Sequence, residues 1–496
     1  MYMGLCYNRQ KSICAKEKGR MKKIAYIASE CVPFIKTGGL ADVVGTLPKI
    51  FDKSEYDVRI IIPNYMCIPS KFKEKMRFIT NFQLDIGDHS QYVGIMYMEY
   101  EGVPVYFIDN EYYFNGIAPY GETKWDIEKF CYFSKAALAI LPVIGFRPDI
   151  VHCHDWQAGM VPVYLKTLFA GNPFFSGIRS IMTIHNLQFQ GKWSIDHMRY
   201  CTGLPDYLFT SDKLELNKDA SMLKGGLVYA DTITTVSNTY AYEIQTPYYG
   251  EGLDGLLRAR SQSLVGIVNG IDYDTYNPEK DKNLYKNYTT KNYKKNKAMN
   301  KTALQKELGL PVDKNQFVIG IISRLTDQKG LDLVDAVMND ICQDGVQFVV
   351  LGTGDHRYEE MFRYYQNFHP AKVSANIYFS DALSHKMYGA CDAILVPSRF
   401  EPCGLTQLMA LRYGSLPIVR ETGGLKDTVI PYNEYEQTGT GFSFANYNAQ
   451  ELLNTINYAK EVYYNQKKSW EDMQVRAMNQ NYSWANSAKQ YEELYR

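Results

Sequence analysis

One glutamate stands just before a predicted helix start, where a carboxylate can act on a bound ligand. Glu401 precedes Pro402 in "RFEPCGLTQ", and the letters "GLTQLMAL" predict the start of a helix. Because the first amides of a helix are free and favour anions, the backbone of Leu405 and Thr406 can hold a diphosphate. The Glu401 carboxylate can accept hydrogen bonds from hydroxyl groups of a ligand or stabilise a positive charge that develops on it. A purely structural carboxylate at a helix start is the alternative.

Two cations lie beyond the end of a predicted strand. Arg324 and Lys329 belong to "SRLTDQKG", directly after the apolar run "FVIGIIS". Ligands of α/β folds bind beyond the carboxyl ends of parallel strands, so these side chains can neutralise a diphosphate as it leaves. An ordinary solvated surface pair is the competing interpretation. The Asp-x-Asp at residues 272–274 follows "GIVNG" and is interpreted as a turn, not as metal ligands.

The phrase Thr-Gly-Gly-Leu-x-Asp-x-Val occurs twice, in "KTGGLADVVGTLP" (residues 36–48) and "ETGGLKDTVI" (residues 421–430). Each copy follows a predicted strand and opens a helix, and its glycines let the backbone turn tightly and approach a ligand. The sequence therefore predicts two similar folds that each lend a helix start to one cleft. For the second copy, a packing turn without a ligand is an equally good explanation. The first copy supplies the candidate binding residues Lys36, Gly38, Gly39 and Asp42.

Short β-rich runs alternate with helical stretches along the chain. The first series is "KKIAYIAS", "DVRIIIP", "VPVYFID", "DIVHCHD", "SIMTIHN" and "TITTVS"; the second is "FVIGIIS", "VQFVVLGTG", "NIYFS", "AILVPS" and "LPIVRE". Apolar runs of this kind are typical of parallel strands buried on both faces. Between the two series, residues 281–300 are polar and predict an exposed loop leading into a helix. The pattern predicts an α/β protein with two doubly wound, Rossmann-like domains.

The expected limits are an N-terminal domain over residues 21–264, a C-terminal domain over residues 265–475, and a final helix over residues 476–496 that packs back on the N-terminal domain. Residues 1–20 are basic and lack the apolar core of a secretion signal, so we expect a disordered extension there.

The composition gives no sign of a nucleic-acid-binding, membrane-spanning or metal-binding protein. Lys+Arg and Asp+Glu each number 54 in 496 residues, which gives no indication of nucleic acid or an anionic membrane as a partner. No apolar run is long enough to span a bilayer. Ten scattered cysteines without a Cys-x-x-Cys pair predict reduced thiols in the cytoplasm. His152-Cys153-His154 has no matching second cluster, so no metal site is expected.

Six blocks, in this order and spacing, resemble bacterial glycogen synthases and plant starch synthases: "KTGGLADVVGTLP", "HDWQAGMVPVYL", "TIHNLQFQG", "GIVNGID", "SRLTDQKG" and "PSRFEPCGLTQLMALRYGSLPIVRETGGLKDTV". The likeness covers the chain from Met21 to its end. It implies a GT-B fold, in which two Rossmann-like domains face a cleft, and a retaining hexosyltransferase that needs no metal and no cofactor. It further implies transfer of glucose from ADP-glucose to the non-reducing end of an α-1,4-glucan, in glycogen biosynthesis.

The resemblance also implies roles for single residues. His185 and Asn186 are expected to face the glucose near its anomeric carbon, although a lone histidine at a strand end is more often structural. Gly354, in "LGTGD", is expected beside the nucleotide. The remaining candidates are His154, with Asp155 and Trp156, as cleft lining; Tyr120 as an acceptor contact; Asn269 in a hinge turn with some exposure to the cleft; and Cys403 and Gly404 in the pocket. Cys403 is expected to pack there, not to act as a nucleophile, because no base neighbours it in the sequence.

The expected catalytic residues are Glu401, Arg324, Lys329 and His185. No second carboxylate is evident for a double displacement, so we favour front-face substitution, in which the leaving phosphate takes the acceptor proton. The alternatives are a GT-B transferase that uses UDP-glucose or another acceptor, a GT-B isomerase of a nucleotide sugar, and a glucan-binding scaffold without activity. A decayed scaffold would not require the charged residues and both glycine turns together.

Overall fold

The computed structural model describes residues 20–343 and 345–496. The strands are β1 (Lys22–Ile27), β2 (Tyr56–Pro63), β3 (Arg77–Ile86), β4 (His89–Tyr100), β5 (Val103–Asp109), β6 (Ile150–His154), β7 (Arg179–Ile184), β8 (Lys192–Ser194), β9 (Glu215–Leu216), β10 (Asp219–Ser221), β11 (Thr232–Thr235), β12 (Leu264–Gly266), β13 (Phe317–Ile322), β14 (Val346–Leu351), β15 (Val373–Asn376), β16 (Ala393–Val396), β17 (Leu416–Arg420) and β18 (Phe442–Phe444).

The helices are α1 (Gly39–Ile50), α2 (Ser70–Lys73), α3 (Glu111–Phe114), α4 (Thr123–Val143), α5 (Met160–Lys166), α6 (Ile195–Thr202), α7 (Met222–Tyr229), α8 (Asn238–Glu243), α9 (Asp254–Ala259), α10 (Tyr293–Glu307), α11 (Leu331–Gln343), α12 (His356–Phe368), α13 (Asp381–Ala390), α14 (Thr406–Tyr413), α15 (Gly423–Thr428), α16 (Ala449–Asn465), α17 (Lys467–Met478) and α18 (Trp484–Tyr495). The extension expected over residues 1–20 lies, apart from Arg20, outside the described residues.

The first sheet has nine strands in the order β12-β11-β7-β6-β1-β2-β5-β4-β3. Its central strands are parallel, and the side chains of Ile24 to Ile27 in β1 are fully buried, as the apolar run predicts. The long strands β3 and β4 add an antiparallel hairpin at one edge, which the sequence analysis did not identify. Exposed and less exposed residues alternate along β3, because one face of this edge hairpin meets solvent.

The second sheet has six parallel strands in the order β15-β14-β13-β16-β17-β18. The prediction of a strand over "NIYFS" is wrong: β15 ends at Asn376, where that run begins. Tyr378 and Phe379 follow in a loop and are 49% and 89% exposed, so their apolar character does not reflect burial in the sheet.

The polar stretch over residues 281–300 is a loop followed by a helix, as its composition predicts, but it is only partly exposed. It leads into α10, and Lys297 in that helix is 5% exposed. The Lys297 ammonium donates to the carbonyls of Tyr388 and Gly389 and to the Ser415 hydroxyl. Burial lowers the pKa of Lys297 to about 7. Two lysines of this helix, Lys297 and Lys301, can be buried because their ammonium groups are hydrogen-bonded, which buried cations require.

Two segments connect the halves of the chain and lie side by side. The Ile271 amide donates to the Tyr482 carbonyl at 2.8 Å, and Ile271 pairs with Ser483 in a parallel bridge. After this crossing, α18 packs against α1, and the Tyr495 hydroxyl bonds Tyr26 in β1. The domain limits expected at residues 264/265 and 475/476 stay predictions.

Among the helices that the structure describes, none has the length and apolar character that crossing a membrane requires.

Candidate active site

A small cavity opens beyond the carboxyl ends of β13 and β16, and its walls include five of the predicted site residues. It is lined by Ile321, Ile322, Ser323, Lys329, Leu395, Val396, Pro397, Ser398, Glu401, Gly404, Leu405 and Thr406. The Lys329 ammonium donates to the Glu401 carboxylate at 2.6 Å, and the Ser398 hydroxyl donates to the same oxygen at 2.9 Å. Glu401 is 7% exposed. The cavity therefore combines a fixed carboxylate with a cation at a strand end.

The start of α14 forms one wall of this cavity. Gly404 has a φ of +71°, a left-handed conformation that favours glycine, and Leu405 is the N-cap without a side-chain cap. The first amides of a helix have no intrahelical acceptor. The helix start predicted at Leu405 and Thr406 is therefore present, and it lies at the cavity wall. Whether its amides bind an anion stays a prediction.

The first glycine pair lies across from that wall. A Cβ on Gly38 would meet no atom within 4 Å, and one on Gly39 would meet only the Leu405 Cδ1 at 3.8 Å. The start of α1 is therefore open, and it faces the loop that precedes α14. Lys36 is exposed beside it and donates to the Asp42 carboxylate at 2.8 Å. Burial raises the pKa of Asp42.

The second glycine pair is filled by protein. A Cβ on Gly423 would lie 1.9 Å from the Glu401 carbonyl oxygen, and one on Gly424 would lie 2.0 Å from that of Cys403. Glu243, from α8, accepts hydrogen bonds from the Gly423 amide at 3.1 Å and from the Thr422 hydroxyl at 2.9 Å. The expectation that both copies lend a helix start to a ligand is wrong for this copy. It packs against the loop of Glu401, which is the alternative explanation.

A histidine pair and an aspartate meet at the ends of β6 and β7. His154 Nδ1 and His185 Nε2 are 3.0 Å apart, and Asp155 Oδ1 accepts from the His185 amide at 2.6 Å and the Asn186 amide at 3.4 Å. Burial lowers the pKa of His185 to about 3, so its imidazole is neutral at pH 7. Burial, assisted by the nearby Glu30 charge, raises the pKa of Asp155 to about 7. Asp155 also has a φ of +55°, which is uncommon for a residue other than glycine.

Glu30 is a residue of this site that the sequence analysis did not name. Its carboxylate accepts hydrogen bonds from the amide and hydroxyl of Thr37 and from the Tyr120 hydroxyl. Glu30 is 3% exposed. Glu30 therefore connects Tyr120 to the loop before Gly38. Its position in the sequence, just before the first glycine phrase, is the signal that could have identified it as a site residue. Glu243, far from either phrase in the sequence, gave no such signal.

The other candidates lie at the edges of the site. Arg324 is exposed beyond β13, and the next residue, Leu325, pairs with Gly354; neither Arg324 nor Gly354 lines the cavity. A Cβ on Gly354 would lie 2.3 Å from the Leu325 carbonyl oxygen, so packing alone requires this glycine. Asn269 is 4% exposed, less than the cleft exposure expected for it, because it is enclosed at the chain crossing.

Burial raises the pKa of Cys403 to about 12, which keeps the thiol protonated. The turn predicted for residues 272–274 is present, with Asp272 accepting from the Asp274 amide.

Comparisons with known proteins agree with this architecture. A family model described as "Starch synthase catalytic domain" matches residues 23–259, and one described as "Glycosyl transferases group 1" matches residues 301–474. The chain is 63% identical to a glycogen synthase of Lachnospira eligens over 96% of this chain and 99% of that protein. It is 58% identical to one of Lachnoclostridium phytofermentans, with the same coverage of both chains.

Solved structures extend the likeness to three dimensions. The catalytic domain of starch synthase IV from Arabidopsis thaliana, bound to ADP and acarbose, is 34% identical with a TM-score of 0.88, over 96% of this chain and 99% of that one. A sucrose-phosphate synthase from Thermosynechococcus elongatus shares the fold at 16% identity and a TM-score of 0.61, over 96% of this chain and 98% of that one. The predicted GT-B fold is confirmed. By sequence and fold, the chain belongs to the glycogen and starch synthase family of retaining glycosyltransferases.

Proposed function

We propose that this protein transfers glucose from ADP-glucose to the non-reducing end of an α-1,4-glucan, with retention of the anomeric configuration. The observation that carries the proposal is the cavity in which the Lys329–Glu401 pair adjoins the start of α14, with the open start of α1 facing Leu405. The ADP bound to the Arabidopsis relative supports adenosine diphosphate as the nucleotide part of the donor. Glycogen is the proposed acceptor.

In this proposal the donor diphosphate lies at the start of α14. The amides of Leu405 and Thr406 and the ammonium of Lys329 stabilise its charge. Arg324, exposed and free to reorient, completes the neutralisation as the domains close. Lys36 binds the donor from the opposite side once it leaves Asp42.

Glu401 and His185 act on the sugar. The Glu401 carboxylate accepts hydrogen bonds from the glucose hydroxyls and stabilises positive charge at the anomeric carbon. His185 is uncharged at neutral pH, so it can hydrogen-bond the sugar without opposing that charge. His154 and Asp155 fix its orientation, and Asn186 contributes a further hydrogen bond to the glucose.

Front-face substitution accounts for retention without a second carboxylate. The bond between the anomeric carbon and the β-phosphate oxygen breaks, and the glucan 4-hydroxyl attacks from the same face. The departing phosphate takes the proton of that hydroxyl, so the products are ADP and an extended glucan. Tyr120, held by Glu30, is proposed to position the acceptor.

The eight cysteines that the structure describes form no disulfide, which supports a reducing compartment, and we propose the cytoplasm.

Incubation with ADP-glucose and glycogen tests the proposal. We expect release of ADP and lengthening of the glucan chains in equal amounts. Rates with UDP-glucose distinguish the runner-up, a related transferase with another donor. Release of nucleotide without chain extension would instead indicate an isomerase or a different acceptor and would refute the proposal.

A further inference from the structure

Three side chains of metal-binding type converge on the outside of the first domain. Glu128 belongs to α4, and His197 and Cys201 belong to α6. Their potential ligand atoms all lie within 4.8 Å of one another. Neither the catalytic proposal nor the sequence patterns used above involve these residues.

The spacing of two of these atoms suits a tetrahedral ion. His197 Nε2 and Cys201 Sγ are 3.4 Å apart. Bonds of about 2.3 Å from zinc to sulphur and about 2.0–2.1 Å from zinc to nitrogen, at a tetrahedral angle, separate the two ligands by about 3.5 Å. Residues four apart lie on one face of a helix, so α6 presents both ligands together.

The surroundings support the third ligand and allow access. The Tyr113 hydroxyl donates to Glu128 Oε1 at 3.1 Å, and such partners orient metal-binding carboxylates. Cys201 is 1% exposed, whereas Glu128 and His197 are partly exposed. An ion can therefore enter from solvent and reach a sheltered thiolate at the base of the site.

Binding must release one proton and move another. A thiol coordinates a metal ion as the thiolate, so Cys201 releases its proton when the ion binds. His197 Nε2 lies 3.2 Å from the Lys124 carbonyl oxygen and can donate to it. Coordination moves that imidazole proton to Nδ1. The thiolate and the Glu128 carboxylate together then balance a divalent charge.

We propose that Glu128, His197 and Cys201 bind a divalent transition-metal ion of the zinc class, with water as the fourth ligand. The ion joins α4 to α6. None of its three ligands lines the cavity of Glu401, so we expect glucose transfer not to depend on it.

Titration of the untagged, chelator-treated full chain with Co²⁺ under argon tests the site. We expect one equivalent to produce a thiolate-to-cobalt charge-transfer band, and Zn²⁺ to abolish it by displacement. Cys201→Ser should lose the band, while the matched thiol variant Cys67→Ser should keep it. Tyr113→Phe, which removes only the supporting hydrogen bond, should weaken Co²⁺ binding about 10–100-fold.

Two results would overturn the proposal: no band in the folded wild-type chain, or a band that survives Cys201→Ser. His197→Gln, at a partly exposed position, provides a second test if Cys201→Ser does not fold. It must also abolish the band while circular dichroism matches the wild type. Glucose transfer is measured before and after chelation, and it should be unchanged, which separates this proposal from the function of the cleft.

Discussion

Glu243 joins the two halves of the molecule, and its removal should loosen them. Its carboxylate accepts hydrogen bonds from the Thr422 hydroxyl and the Gly423 amide. Thr422 is fully buried and Gly423 is buried beside it. The Gly424 amide in turn donates to the Glu401 carbonyl at 3.1 Å. A change at Glu243 is therefore transmitted to the loop that carries the proposed catalytic carboxylate.

The cost follows from the donors left without an acceptor. Glu243→Ala leaves two buried donors unsatisfied, at about 1–3 kcal/mol each. Burial raises the pKa of the Glu243 carboxyl in the folded protein. Removing the carboxylate therefore also removes an unfavourable buried charge, which offsets part of the loss. We expect a net loss of about 2–4 kcal/mol in the free energy of unfolding. Glu243→Gln keeps an acceptor oxygen and should cost about 1 kcal/mol.

Urea unfolding of both variants, followed by kcat measurements with ADP-glucose and glycogen, tests this reasoning. Tyr242→Ala on the same helix is the matched control, since Tyr242 is 73% exposed and should change stability by less than about 0.5 kcal/mol. The alanine variant should also lose kcat. If Glu243→Ala unfolds at the same urea concentration as Tyr242→Ala, the contact does not hold the halves together.

Three further predictions concern the cleft. Glu401→Ala should lower kcat about 10²–10³-fold with little change in the donor KM, because it removes a charge that acts in the transition state; failed donor binding with a normal kcat would disprove the catalytic role. Gly424→Ala should lower the free energy of unfolding by about 1–3 kcal/mol, because the added methyl group overpacks the site. Gly38→Ala should leave urea unfolding unchanged and raise the donor KM. Equal unfolding midpoints for the two variants would contradict this contrast. Since the pKa of Asp155 rises from 3.8 to about 7 in the folded protein, its contribution to stability is full below pH 3.8 and is lost as pH rises through about 7. The free energy of unfolding, relative to Asp155→Asn, should fall over that interval; a constant difference would exclude this titration.

The central sheets could be predicted because their strands are buried on both faces and appear as apolar runs. The hairpin β3–β4 could not be, because partial exposure on one face dilutes its apolar pattern. The burial of α10 could not be predicted from the sequence either. Lys297 is satisfied by carbonyl groups of residues distant in sequence, which no local pattern reveals.

The two glycine phrases show the same limit for the site. Their letters predict the same strand-turn-helix geometry, and both have it. What occupies the space before each helix depends on distant residues: the first start is open, and the second is filled by Cys403 and Glu243. The roles given to the individual site residues stay predictions until the variants are measured.

The paired crossing at Ile271 and Ser483 restricts how the cleft can open. A single connection would let one half twist freely about the chain, but two adjacent segments, hydrogen-bonded to each other, resist torsion and leave bending as the easy motion. Each opening and closing then returns Gly39 to the same position opposite Leu405. Removal of α18, whose Tyr491 and Tyr495 are buried in the core of the first sheet, should therefore loosen that sheet as well as the alignment of the two cleft walls.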